Sequence, residues 1–129
     1  MSQFIQGYTP NKKVVTDTDH TDTAWRAVAT DGTAYTTLAL LVAAGKTPFP
    51  GLDPGVTLAT LLARSIAPAG PSDGSAFYIQ FNSATQPGSD NAAHFVSASG
   101  QTITFQGPFN NVWVRKTVAA DNVVLEGAY

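Results

Sequence analysis

The chain has 129 residues, a formal net charge of -2, no cysteine and only 12% charged residues, about half of the ~25% usual for globular proteins. That length suits one domain with a core that stands without covalent staples, and the missing cysteines exclude disulfides and thiolate metal sites. A pI near 5.4 argues against a nucleic-acid binder, which would carry a basic face.

In chain order, residues 1–11 read as an extended N-terminal arm, because Phe4, Ile5 and Tyr8 stand isolated among Gln, Gly and Pro10 with no periodicity. The arm has neither the basic region nor the apolar run of a secretory signal. No stretch approaches the ~18 consecutive apolar residues of a membrane span, so a soluble chain with no membrane partner is expected. Residues 12–129 are expected to form a single domain. Val14-Val15 and Trp25 to Ala29 are plausible strands flanking the acidic loop Asp17-Thr-Asp19-His-Thr-Asp22, and Asp31-Gly32 is a turn signal.

Residues 36–44 predict one short helix, with Thr36 as its N-cap and Gly45 in the left-handed position after its end. Pro48, Pro50 and Pro54 then impose a rigid surface loop. Val56 to Ile66 reads two ways. Leu58, Leu61, Leu62, Ser65 and Ile66 have helical spacing, while Val56, Leu58, Leu62 and Ile66 share one strand face. The β-rich setting tips the reading toward strand.

From residue 75 the alternation is cleaner. Phe77, Ile79 and Phe81 point one way and Tyr78, Gln80 and Asn82 the other. A further strand is expected over Ala92 to Val96, and Ile103 and Phe105 alternate with Thr102, Thr104 and Gln106. Gly107 to Asn111 reads as a turn, Val112, Val114 and Val118 as an inward face, and Val123-Val-Leu125 as the closing strand. Short strands separated by turn residues predict an all-β fold, an antiparallel β-sandwich of jelly-roll type.

Each candidate for chemistry meets a simpler explanation. Gly45-Lys46-Thr47 resembles the end of a phosphate-binding loop, but Leu40 stands where the motif needs glycine and Pro48 where a helix should open. Asp17, Asp19 and Asp22 lack the glycine and distal bidentate acid of a calcium loop. His20 and His94 are too far apart in sequence to suggest a metal site, and Ser97 and Ser99 near His94 sit in no recognisable nucleophile turn. Glu126 is the only glutamate and the eight aspartates fall mostly in turns, which does not suggest a glycosidase pair. Trp25, Tyr78, Phe109, Trp113 and Tyr129 are candidates for a sugar-stacking platform, although Trp113 between two valines reads as partly buried. The expectation is a non-enzymatic protein with no cofactor, metal or catalytic residue.

Gly100-Gln-Thr-Ile-Thr-Phe-Gln-Gly-Pro, then Asn111-Val-Trp-Val-Arg and the closing Val-Val-Leu-Glu-Gly, resemble small virion structural proteins of tailed bacteriophages. Tyr35-Thr-Thr-Leu-Ala-Leu-Leu-Val-Ala-Ala-Gly is similar to their short Thr-capped helix. The similarity covers about residues 34–127, and the proline-rich loop 47–55 and the connection 66–75 depart from it. The resemblance implies a capsid decoration or cement protein, a homo-oligomer (dimer or trimer) that binds the major capsid protein. Its location would be the capsid surface of the virion, after synthesis in the host cytoplasm. The alternative is a receptor- or carbohydrate-binding module of a fibre or baseplate. Residues expected to meet a partner are Phe4, Ile5, Tyr8, Phe49 and Tyr129.

Overall fold

The computed structural model describes residues 12–17, 20–49, 57–68, 72–88, 94–96 and 102–129, and the expected arm lies outside them. In chain order the elements are β1 (Lys12–Asp17), β2 (Arg26–Val28), β3 (Ala34–Tyr35), α1 (Leu38–Ala43), β4 (Leu58–Ile66), β5 (Phe77–Phe81), β6 (His94–Val96), β7 (Ile103–Phe109), β8 (Val112–Lys116) and β9 (Asn122–Ala128). One sheet has the strand order β1-β9-β4-β7 and the other β3-β2-β8-β5-β6. All the described pairings are antiparallel. With the two-residue β3 set aside, the strands run first, eighth, third, sixth in one sheet and second, seventh, fourth, fifth in the other. That order is the double Greek key of a jelly roll.

The main core fills the space between the sheets. Val15, Leu61, Ala63, Val123 and Leu125 face Val28, Phe77, Ile79, Val96, Val112 and Val114, all buried. Each large apolar side chain so placed contributes about 1.5–3 kcal/mol of transfer free energy, whereas an exposed ion pair contributes about 1 kcal/mol or less. The core therefore holds the fold. At one end Phe81 bridges the layers, stacking on Phe109 with ring centroids 4.1 Å apart and meeting Phe105 edge-on at 5.0 Å.

A second, smaller core lies outside the five-stranded sheet. Trp25, Ala27, Ala29 and Trp113 are covered there by Leu41 of α1. Trp113 donates its indole N–H to the Ser83 carbonyl at 2.9 Å, so its burial leaves no orphaned donor.

The structure refines four local expectations. The helix is capped by Thr37, not Thr36: the Thr37 hydroxyl accepts from the Leu40 N–H at 3.1 Å. Gly45 does take the left-handed conformation, with φ of 74°. Residues 58–66 are a strand, but its register shifts between Leu58 and Thr60. This bulge reverses the side-chain parity, so Leu58 is buried on one side of it and Leu61, Ala63 and Ser65 on the other. Leu62 and Ile66, expected to share the Leu58 face, are left only partly buried.

β7 continues through Gly107 and Pro108 to Phe109, where a turn was expected. It is an edge strand of its sheet, so proline's missing N–H removes no ladder bond on the open side. A Cβ on Gly107 would collide with the main-chain oxygen of Leu58, which makes glycine the residue that fits this approach. β8 ends at Lys116, and Val118 is 43% exposed in the following turn. The third inward position of β8 is thus a lysine.

Candidate docking surfaces

The outer face of the four-stranded sheet carries no covering element among the described residues. Strand alternation lays its side chains out in rows. Lys12, Ala128, Thr60 and Gln106 make the first row; Val14, Glu126, Leu62 and Thr104 the second; Thr16, Val124 and Arg64 the third; Asn122 and Ile66 the fourth. The mixture is mostly hydroxyl-bearing and apolar. Val14 is 56% exposed. A depression of about 330 Å³ runs between Val14, Leu62, Arg64, Thr102, Val124 and Glu126. Lys12 Nζ lies 2.7 Å from Glu126 Oε1 at its rim. Arg64 is exposed and has no ion-pair partner among the described residues.

The sheet edges are poor templates for strand addition. β3 and β6 are two and three residues long, β7 carries Pro108 and β1 opens on Lys12-Lys13. Short strands, proline and lysine are all devices that blunt an edge. The open face is the more accessible surface.

A second apolar patch lies on the opposite side of the sandwich. α1 buries Leu41 against the outer core but leaves Leu40 54% and Val42 61% exposed. Three consecutive apolar residues on a short helix cannot all face inward. The loop beside it is held by charge: Lys46 Nζ lies 2.7 Å from Asp31 Oδ2. The Lys46 hydrogen bond, with that of the Thr33 hydroxyl, holds the Asp31 carboxyl far below the usual carboxylate range, and Asp31 raises Lys46 in return.

The end of the sandwich remote from Phe81 holds the buried charges. Asp17 at the end of β1, Lys116 at the end of β8, His20 and Asp121 are all buried. His20 Nδ1 lies 2.5 Å from Asp17 Oδ2, and the Lys116 ammonium donates to the His20 carbonyl. His20 Nε2 faces Asp22 Oδ1 at 3.2 Å without the alignment of a hydrogen bond. Asp22 also binds the Arg26 guanidinium. Burial opposes a low Asp22 pKa, but the Ala24 N–H, Arg26 and His20 outweigh it and pull the carboxyl down. Asp121 Oδ2 accepts from the Ser75 N–H at 2.7 Å. A histidine general base needs a hydroxyl or water on the nitrogen remote from its orienting carboxylate. Here that position faces a second carboxylate, so the cluster works as a clamp that ties the 20–26 loop to β1 and β8.

The residues expected to meet a partner are placed as follows. Phe4, Ile5 and Tyr8 lie outside the described residues. Phe49 is a correction: it is fully buried in the main core, because its N–H bonds to the Val28 carbonyl at 2.7 Å and turns the ring inward from the proline loop. Tyr129 follows β9 and is 37% exposed. The sugar-stacking candidates Trp25, Trp113 and Phe109 are buried, and Tyr78 packs beneath the Arg115 guanidinium at 5.2 Å. His94 lies in β6, paired with Ile79. Asp17 and Asp22 serve the clamp, Asp19 lies outside the described residues, and among the described residues no group of three or more His, Cys, Asp or Glu side chains is placed to hold a metal. No described helix is long and apolar enough to cross a membrane.

Sequence reasoning missed the outer-face residues Val14, Leu62, Arg64, Val124 and Glu126. Their signal was the alternation of β1 and β9. It was hidden on β4 by the bulge. Comparison with known proteins finds no family model, no curated protein and no solved structure that matches the chain.

Proposed function

We propose that this chain is a non-enzymatic virion structural protein, a capsid decoration protein that binds and stabilises a shell of major capsid protein as a homo-oligomer. The observation that carries the reading is a pair of partly apolar surfaces on opposite layers of one sandwich. One is the open face around Val14, Leu62 and Val124; the other is Leu40 and Val42 on α1. A cement protein must contact both its own copies and the shell, and two separated patches supply two contacts. The sparse charges support the same reading. Asp17, Asp22, Asp31 and Asp121 are engaged in loop and strand clamps, which leaves the surface suited to neutral contacts of the kind found in interface cores. The jelly roll is compatible with this role, although folds of this class also host lectin domains.

The test is binding of the purified chain to matured capsids of the cognate phage. Co-sedimentation with the shells and a rise in their heat-disruption temperature are expected. A chain that stays in the supernatant at every concentration sinks the proposal.

A further inference from the structure

We infer that the outer face of the four-stranded sheet is a two-fold interface that takes a second copy of this chain, locked by Arg64 of each copy against Glu126 of the other. The inference deepens the self-association in the reading above and stands on the geometry of the face.

Four residues occupy the middle of the face. Glu126 pairs with Leu62 across the strands, and Val124 pairs with Arg64 one row on. The two charges therefore lie on one diagonal of this square and the two apolar side chains on the other. A two-fold axis lying in the interface along the Leu62–Val124 diagonal maps each diagonal in a definite way. It sets Leu62 against Leu62 and Val124 against Val124, and it carries Arg64 of each copy onto Glu126 of the other. Axes along the strands or across them place a charge on an apolar group instead. The diagonal axis is thus the one that makes the face self-complementary, as an isologous contact requires.

The strands of the two copies then cross at about 70°, from a strand spacing near 4.8 Å and a two-residue rise near 6.8 Å, which falls toward the orthogonal class of sheet packings. Lys12 already holds one Glu126 oxygen, and the carboxylate's remaining lone pairs can accept from an incoming guanidinium. Arg64, without an ion-pair partner among the described residues, gains an anion. Four strands and four rows span about 14 by 20 Å between the outermost backbone positions, which puts the contact at the small end, below the ~800 Å² per partner of a standard complex.

The test uses sedimentation equilibrium of the full chain at concentrations up to about 100 µM, a range suited to an interface at the small end. The wild type is expected to be dimeric. Arg64→Glu and Glu126→Arg each bring like charges together twice in a homodimer and are expected to be monomeric, with unchanged far-UV circular dichroism because both positions lie at the surface. Mixing the two variants restores both opposite-charge pairs in a heterodimer, so the mixture is expected to dimerise. Leu62→Asp, which sets two carboxylates on the axis, is expected to be monomeric. A monomeric wild type, a dimer that survives Arg64→Glu, or a mixture that stays monomeric overturns the inference. Dimers that fail to bind capsids contradict only the decoration role; a monomer that binds them contradicts only the interface.

Discussion

The ammonium of Lys116, at the last inward position of β8, donates to the main-chain carbonyl of His20, a residue whose ring is held in turn by the buried carboxylate of Asp17. One lysine so joins a loop near the start of the chain to the strand pair that closes it. Lys116→Met keeps much of the side-chain volume but leaves the buried His20 carbonyl without its donor. The expected loss is about 1–3 kcal/mol in denaturant unfolding, with little change in m-value. A neutral or stabilised variant would show that the clamp contributes nothing to stability.

Asp31 gives the fold an acid-side signature. Its carboxyl titrates far below its ordinary value of 3.8, first through the Lys46 hydrogen bond and then through Thr33. A depressed folded-state pKa stabilises the protein fully above the unfolded value, and the contribution disappears as the pH falls through the folded one. The difference in Tm between wild type and Asp31→Asn should therefore be constant from about pH 5 to 7 and shrink below about pH 4. A difference that holds unchanged down to about pH 2 contradicts this.

Phe49 should behave as a core residue. Phe49→Ala is expected to cost about 3–5 kcal/mol by calorimetry or denaturant titration. A loss below about 1 kcal/mol would place the ring at the surface.

The helix cap separates two adjacent threonines. Thr37→Ala removes the acceptor for the Leu40 N–H and is expected to cost about 1 kcal/mol, while Thr36→Ala, exposed and outside the cap, should stay within about 0.5 kcal/mol of wild type. Equal effects at the two positions would rule out this cap assignment.

The sandwich was legible in the sequence because the alternation read in β5 and β7, and the inward pair Val112 and Val114 of β8, survives into the structure. What was not legible was set by distant contacts. Opposite Ala59 of β4 stand two residues of β7, Gly107 and Pro108, and the burial of β4 changes parity across this shift; local periodicity carries no trace of that. Lys116 looks like a surface residue until the His20 loop folds over it. Phe49 looks exposed in a proline loop, yet bonding to Val28 draws it inward. The partner surface was illegible for the same reason: it depends on which face of each strand the register turns outward.

Amide hydrogen exchange of the full chain, with and without matured capsids, reads the proposed contact with the shell residue by residue. Exchange is expected to slow around α1, residues 38–45, when shells are added. Exchange that is unchanged along the whole chain in the presence of shells would contradict that contact.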